Sequence, residues 1–270
     1  RGAGIPSVER LGYLAEMATV QLRGFDHLVL IDAKAPVSFF AYPGKKSYLV
    51  PDDCTLHNLV ELDQDALKSL KALVEAVGAS DTAPKLEPAK RPNLPSGKLN
   101  AEKIMQAIGA LLPENAIISD EAQTSGLKLP SCTTGSPKHD LLTLTGGAIG
   151  QGLPVAVGAA VAGKNRPVLA LIGDGSSMYT IQSLWTIVAE QLDVTTVIFN
   201  NGSYAILNIE LERVGAEKAG PKAKAQLDIS KPEIDFVSIA KGMGMPAERT
   251  RTAEEFNVAL ENAFRNPGPH

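Results

Sequence analysis

Three short apolar runs, residues 116–119, 168–172 and 195–199, constrain this chain more than any other feature. Each is rich in Val, Ile and Leu and too short for a helix of ordinary length. Continuous runs of this kind suit parallel strands covered on both faces. Between them the apolar spacing becomes helical. Residues 153–162 form a small-residue helix, and 179–191 places Ile181, Leu184, Trp185 and Val188 at i, i+3, i+4 and i+7, a face that predicts burial. Asn100 stands where a helix cap is expected, ahead of Ile104, Ile108, Leu111 and Leu112. Thr252 and Glu255 have the spacing of a capping box. Alternating elements predict an α/β fold over 98–270, a doubly wound and mostly parallel sheet.

The flanks differ. Residues 1–78 hold one strand candidate, His27–Ile31, an apolar run at 39–44, and a helical pattern over 65–77 with Leu67, Leu70, Leu73, Val74 and Val77 on one face. Residues 79–97 contain four prolines and no periodicity, and read as a linker. The chain opens at Arg1 rather than Met and closes on residues 266–270, where such a fold usually adds another strand. Both ends suggest a piece of a longer protein. With Lys+Arg 26 against Asp+Glu 30, the net charge of -4 gives no basic stripe for a nucleic-acid partner. No apolar run is long enough to span a bilayer and no signal peptide opens the chain. Two cysteines, Cys54 and Cys132, make no disulfide framework and fit a cytoplasmic location.

Chemistry concentrates where the 168–172 run meets Gly173-Asp174-Gly175-Ser176. Loops after parallel strands collect ligands, and helix N-termini there favour phosphate. An Asp between the glycines would repel a bare diphosphate, which calls for a divalent cation between them. Mg²⁺ takes oxygen ligands and is commonly shared by a carboxylate and substrate phosphates. The next run ends in Asn200-Asn201-Gly202-Ser203, offering an amide oxygen and backbone carbonyls. Either motif alone reads more readily as a turn; their joint occurrence on successive strands points to a shared site.

Gly173-Asp174-Gly175, followed after 24 residues by Asn200-Asn201, resembles the Mg²⁺–thiamin diphosphate signature of the thiamin-dependent decarboxylase and carboligase family. That family includes acetolactate synthase, benzoylformate decarboxylase and pyruvate decarboxylase. The resemblance implies that Asp174, Asn201 and the Ser203 carbonyl hold the metal, that Gly175 and Ser176 contact the diphosphate beside Gly173, and that Tyr204 lies next to it. The stretch 145–154 resembles the loop that grips the thiamin heterocycles. It implies a Gly147 carbonyl facing the aminopyrimidine and an Ile149 wedge that bends the cofactor, and these two residues set the geometry of cofactor activation. The 120–124 segment resembles a further diphosphate contact, with Gln123 and Thr124 as candidates; Gln123 departs from the family's hydroxyl-rich pair. Residues 24–44 resemble the second half of the Rossmann-like middle domain of acetolactate-synthase-like members. The implied organisation is therefore middle-domain residues 1–78, linker 79–97 and diphosphate-binding domain 98–270. The family's N-terminal pyrimidine-binding domain, whose glutamate activates the cofactor, has no counterpart in these residues. It is expected from the same or another subunit of a dimeric or tetrameric homo-oligomer.

The implied activity is decarboxylation of a 2-oxo acid with carboligation, as in acetolactate synthase. A benzoylformate-decarboxylase-like decarboxylation and a cofactor-binding subunit active only with a partner remain alternatives. Leu207 lines the expected substrate pocket. Pyruvate decarboxylases carry an acidic residue six positions after the Asn ligand, and an apolar residue there disfavours their mode of protonation. FAD stays open without support, since some acetolactate synthases hold a flavin on the middle domain. Residues 158–165 imitate a Walker A loop but end in Asn165 and lie in helix-then-strand order, the reverse of what that loop requires. His27, His57, His139 and His270 lack zinc spacing. Trp185 reads as core, and 210–226 as a solvated stretch that could also cover the site.

Overall fold

The computed structural model describes residues 1–61, 63–216 and 219–270. Glu217 and Lys218, within the 210–226 stretch, lie outside the described residues. Two compact units emerge. Val8–Lys85 forms one; Arg1–Ser7 and Leu86–His270 form the other. The division at 85/86 falls within the 79–97 linker, and residues 1–7 group with the larger unit.

The smaller unit contains α1 (Ala15–Leu22), β1 (His27–Ile31), β2 (Thr55–Val60) and α2 (Ala66–Ala76). β1 and β2 pair in parallel, which sets His27 and His57 on neighbouring strands with ring nitrogens 3.0 Å apart. β1 is half-open: Leu30 is buried, but Val29 is 46% exposed. α2 is capped by Asp65, whose side chain accepts from the Lys68 N–H, yet it contains no buried residue. β2, with polar Thr, His and Asn among its residues, was not legible as a strand.

The larger unit runs through α3 (Ala101–Leu111), β3 (Ile117–Glu121), a 3₁₀ turn (Gln123–Gly126), α4 (Leu129–Thr133), β4 (Asp140–Thr143) and α5 (Gly152–Ala162). It continues through β5 (Val168–Gly173), α6 (Asp174–Ser177), α7 (Ser183–Ala189), β6 (Val194–Phe199), α8 (Ala205–Arg213), α9 (Pro221–Ala225), α10 (Phe236–Gly242) and α11 (Ala253–Arg265). The sheet order is β4-β3-β5-β6, parallel throughout. Alternate β5 side chains feed two cores. Leu169 and Leu171 pack with Met105, Ile108, Leu129, Phe256 and Leu260 on one face. Val168, Ala170 and Ile172 pack with Leu153, Ala156, Leu184 and Ile187 on the other. The doubly wound parallel α/β sheet is therefore the fold of this unit, and its central strand is covered on both faces, as its uninterrupted apolar sequence requires.

Local signals hold at the helix ends. The Asn100 side chain accepts from the Lys103 N–H, and Thr252 with Glu255 completes a capping box at α11. Trp185 is a correction: it is 62% exposed. α7 begins only at Ser183, so Ile181 lies in the preceding turn, and the buried face is Ser183, Leu184 and Ile187, which turns Trp185 outward. The proline-rich run is irregular, as expected, but its second half is strapped to the larger unit. Arg91 donates to the Ala110 carbonyl at 2.6 Å, Asn257 to that of Pro95 at 2.9 Å, and the Gly97 N–H to Glu254 at 2.8 Å. A cleft of about 900 Å³ follows the outer edge of β6 toward residues 246–251. Residues 268–270 begin to pair there: Val194 and Thr196 N–H groups donate to the Gly268 and His270 carbonyls.

Candidate active site

The strand order itself places a crevice. β3 is flanked by β4 on one side and β5 on the other, so the winding direction switches between β3 and β5. Open parallel sheets bind ligands outside the carboxyl ends of strands at such a point. Residues 121–124 leave β3 there, and 173–176 leave β5.

Asp174 is 3% exposed. One carboxylate oxygen accepts the Gly202 N–H at 2.6 Å and the other the Gly175 N–H at 2.8 Å. A single side chain thus ties the tip of β5 to the tip of β6. A carboxylate offers about four acceptor positions, so each oxygen keeps one to spare. Asn201 is exposed, and its amide oxygen accepts the Ser203 N–H at 2.8 Å. The Ser203 hydroxyl donates to the Leu227 carbonyl and accepts from the Asn208 amide at 2.9 Å. Among the described residues no three His, Cys, Asp or Glu side chains gather to hold a metal. A cation at this tip would therefore rely on Asp174 with amide and backbone oxygens, a hard donor set that suits Mg²⁺.

Gly175 leaves room for a close neighbour. A Cβ there would lie 2.3 Å from the Tyr204 ring, which sits directly on the turn. Burial, with Tyr179 and Asp174 nearby, pushes the Tyr204 phenol up from its ordinary value. Ser176 and Ser177 are buried, and the Ser177 hydroxyl donates to the Asp174 carbonyl at 2.7 Å. Helical residues stand at both ends of the 210–226 stretch. α8 covers 210–213 and α9 covers 221–225, and after α9 the chain returns to pair with the metal-candidate loop. The Tyr204 N–H donates to Leu227, and the Ile229 N–H to Gly202. Leu207, on α8, is 44% exposed.

Gln123 and Thr124 lie half-buried in the 3₁₀ turn, which contacts both β5 and α8. The 145–152 loop runs through Gly146 and Gly147 at φ 62° and 68°; Gly147 is exposed and Ile149 half-buried. Its far end is gripped by a residue that sequence reasoning passed over. Glu121, 1% exposed at the end of β3, accepts N–H bonds from Gly150 and, at 2.7 Å, from Gly152. Burial pushes its carboxyl above the usual range, opposed by those N–H groups. The legible signal was period two: Ile117, Ser119 and Glu121 share one face, and polar side chains at inward positions need partners. Ser119 has one too, donating to the Gly152 carbonyl at 2.8 Å.

Residues 130–270 match the model of the thiamine pyrophosphate enzyme C-terminal TPP-binding domain. The chain belongs to the thiamine pyrophosphate enzyme family. It is 58% identical, over its whole length and 52% of the relative's, to a Mycobacterium tuberculosis protein provisionally named acetolactate synthase large subunit IlvX. It is 32% identical to a Pseudomonas aeruginosa benzoylformate decarboxylase over 76% of this chain and 38% of that one. The thiamine diphosphate-dependent 4-hydroxybenzoylformate decarboxylase of Rhodococcus jostii RHA1 superposes with a TM-score of 0.78 at 26% identity, over 96% of this chain and 50% of its own. The chain thus spans about half, or less, of the length of these thiamine pyrophosphate enzyme relatives. Among the described residues no helix is long and apolar enough to cross a membrane.

Proposed function

We propose that this chain carries the thiamin diphosphate- and Mg²⁺-binding part of a cytoplasmic enzyme that decarboxylates 2-oxo acids with carboligation, in the manner of acetolactate synthase. The observation that carries the reading is the Asp174 carboxylate clamped between the tips of β5 and β6, with acceptor capacity left on both oxygens. Asp174, the Asn201 amide oxygen and the Ser203 carbonyl would hold Mg²⁺. Gly173, Gly175, Ser176, Gln123 and Thr124 would receive the diphosphate, with Tyr204 beside it. The Gly147 carbonyl would orient the aminopyrimidine, and Ile149 would bend the cofactor.

When bound, thiamin diphosphate supplies the electron sink that 2-oxo acid decarboxylation needs. The protein's own work is placement: fixed glycine-rich backbone on one side, a fixed carboxylate on the other. Leu207 would present an apolar surface to the substrate, with no proton donor of its own. The activating glutamate would come from a pyrimidine-binding domain in the same or another subunit of a homo-oligomer. The likeness across the whole chain to the mycobacterial protein supports the carboligase assignment. A decarboxylase without carboligation is the second reading, favoured by the benzoylformate-type relatives.

The test is product analysis on the enzyme with its pyrimidine-binding domain present, supplied with Mg²⁺ and thiamin diphosphate and given pyruvate or benzoylformate. Acetolactate from pyruvate is the expected result. Benzaldehyde from benzoylformate without acetolactate selects the second reading, and no turnover of either acid or of longer 2-oxo acids contradicts both.

A further inference from the structure

The end of the 145–152 loop is held from outside by three side chains on other segments. Glu121 on β3 accepts the Gly150 and Gly152 N–H groups. Ser119 on β3 donates to the Gly152 carbonyl at 2.8 Å, and Thr180, before α7, donates to the Gly150 carbonyl at 2.7 Å. The packing is equally close: a Cβ on Gly152 would come within 2.5 Å of the Glu121 carboxylate, and one on Gly150 within 2.5 Å of the Tyr179 Cβ. The loop needs such an anchor. Gly146, Gly147 and Gly150 all adopt positive φ, so little in its own chain limits its conformations. Two backbone donors turned inward at its end would also be left unpaired without the carboxylate.

We infer that Glu121 is a positioning residue: its carboxylate fixes the 145–152 loop, and through Ile149 and Gly147 it sets where the thiamin heterocycles sit. The inference rests on the thiamin diphosphate reading above. Glu121 touches neither Asp174 nor Asn201 in any hydrogen bond described, so its influence falls on one end of the ligand. With the anchor weakened, only a fraction of molecules holds the competent loop, and apparent affinity falls by that fraction. The diphosphate end rests on the turns after β5 and β6 and on Gln123 and Thr124, none of which the Glu121 carboxylate hydrogen-bonds in any bond described, and is spared. A purely structural role for Glu121 would weaken both ends alike.

Two probes separate these outcomes: thiamin diphosphate, titrated calorimetrically with Mg²⁺, and inorganic diphosphate, read by competition. Glu121→Gln keeps the shape but replaces one acceptor oxygen with a donor. It is expected to weaken thiamin diphosphate about 10- to 30-fold while changing inorganic diphosphate less than about twofold. Thr180→Val is expected to weaken thiamin diphosphate about 3- to 10-fold, and Thr180→Ser, which keeps the hydroxyl, to restore it. If Glu121→Gln does not fold, the Thr180 pair carries the same test. Equal losses for both probes, or no loss for thiamin diphosphate, overturn the inference. Failure of the unmodified protein to bind thiamin diphosphate overturns the cofactor reading as well, whereas normal binding with unaffected variants overturns the Glu121 role alone.

Discussion

β1 and β5 are both short apolar strands in parallel ladders, yet β5 is buried over five of its six residues and β1 over one of five. α2 and α3 repeat the contrast: both are eleven residues long, amphipathic and capped by a polar side chain, but only α3 buries residues. The difference lies in what surrounds each element. β5 has β3 and β6 as neighbours and helices on both faces; among the described residues β1 pairs with β2 alone. An apolar run therefore marks a strand, while the layers around it decide how deep it lies. Function follows the same division, since the candidate site hangs on the ends of β3, β5 and β6, whose positions the two-sided core fixes.

The largest effect expected from this contrast is on stability. Leu171→Ala, in the two-sided core, should cost about 2–5 kcal/mol. Leu67→Ala, 63% exposed on α2, should stay within about 0.5 kcal/mol. Urea unfolding of both variants checks this, and comparable losses would erase the distinction between the units. A smaller effect belongs to the β5 turn. Gly175→Ala drives a methyl into the Tyr204 ring and should cost about 1–3 kcal/mol by overpacking. Adding Tyr204→Ala should recover part of that loss, so the double variant is less destabilised than the two single losses combined; strict additivity in the same unfolding measurement would deny the contact.

The smallest effect is a pH dependence at the opposite end of the larger unit's sheet. His139 is 3% exposed, its Nδ1 lies 2.8 Å from the Pro137 carbonyl, and its Nε2 has no partner among the described residues. Burial pushes its pKa down, with Arg1 adding to the shift and Pro137 and Asp140 opposing it. The folded protein thus takes up this proton less readily than the unfolded chain. Its contribution is present above the ordinary histidine range near pH ~6.5 and is lost as pH falls through the lowered folded value. His139→Gln should flatten that limb of the stability profile, and an unchanged limb would place the cause elsewhere.

Much of the larger unit was legible because its signals were redundant. The 168–172 and 195–199 runs, the Asn100 cap and the Thr252–Glu255 box each agreed with their surroundings. β2 escaped because three of its six residues are polar and, among the described residues, its only strand partner is β1. Trp185 misled because its spacing from Ile181 assumes one helix over 179–191, whereas α7 begins only at Ser183. In the site, Asp174 and Asn201 announced themselves by chemistry set in glycine-rich turns. Glu121 did not, because its role depends on backbone N–H groups about thirty residues downstream, a contact that only the β3–β5 register and the start of α5 create.

The central claim is that Asp174 is the metal-side anchor of a thiamin diphosphate site. Calorimetric titration of thiamin diphosphate with Mg²⁺ into the unmodified protein and Asp174→Ala tests it most directly. The account predicts saturable, Mg²⁺-dependent binding that weakens by about 100-fold in the variant while both proteins stay folded. Equal affinity in the two proteins, or no binding to either, would contradict it.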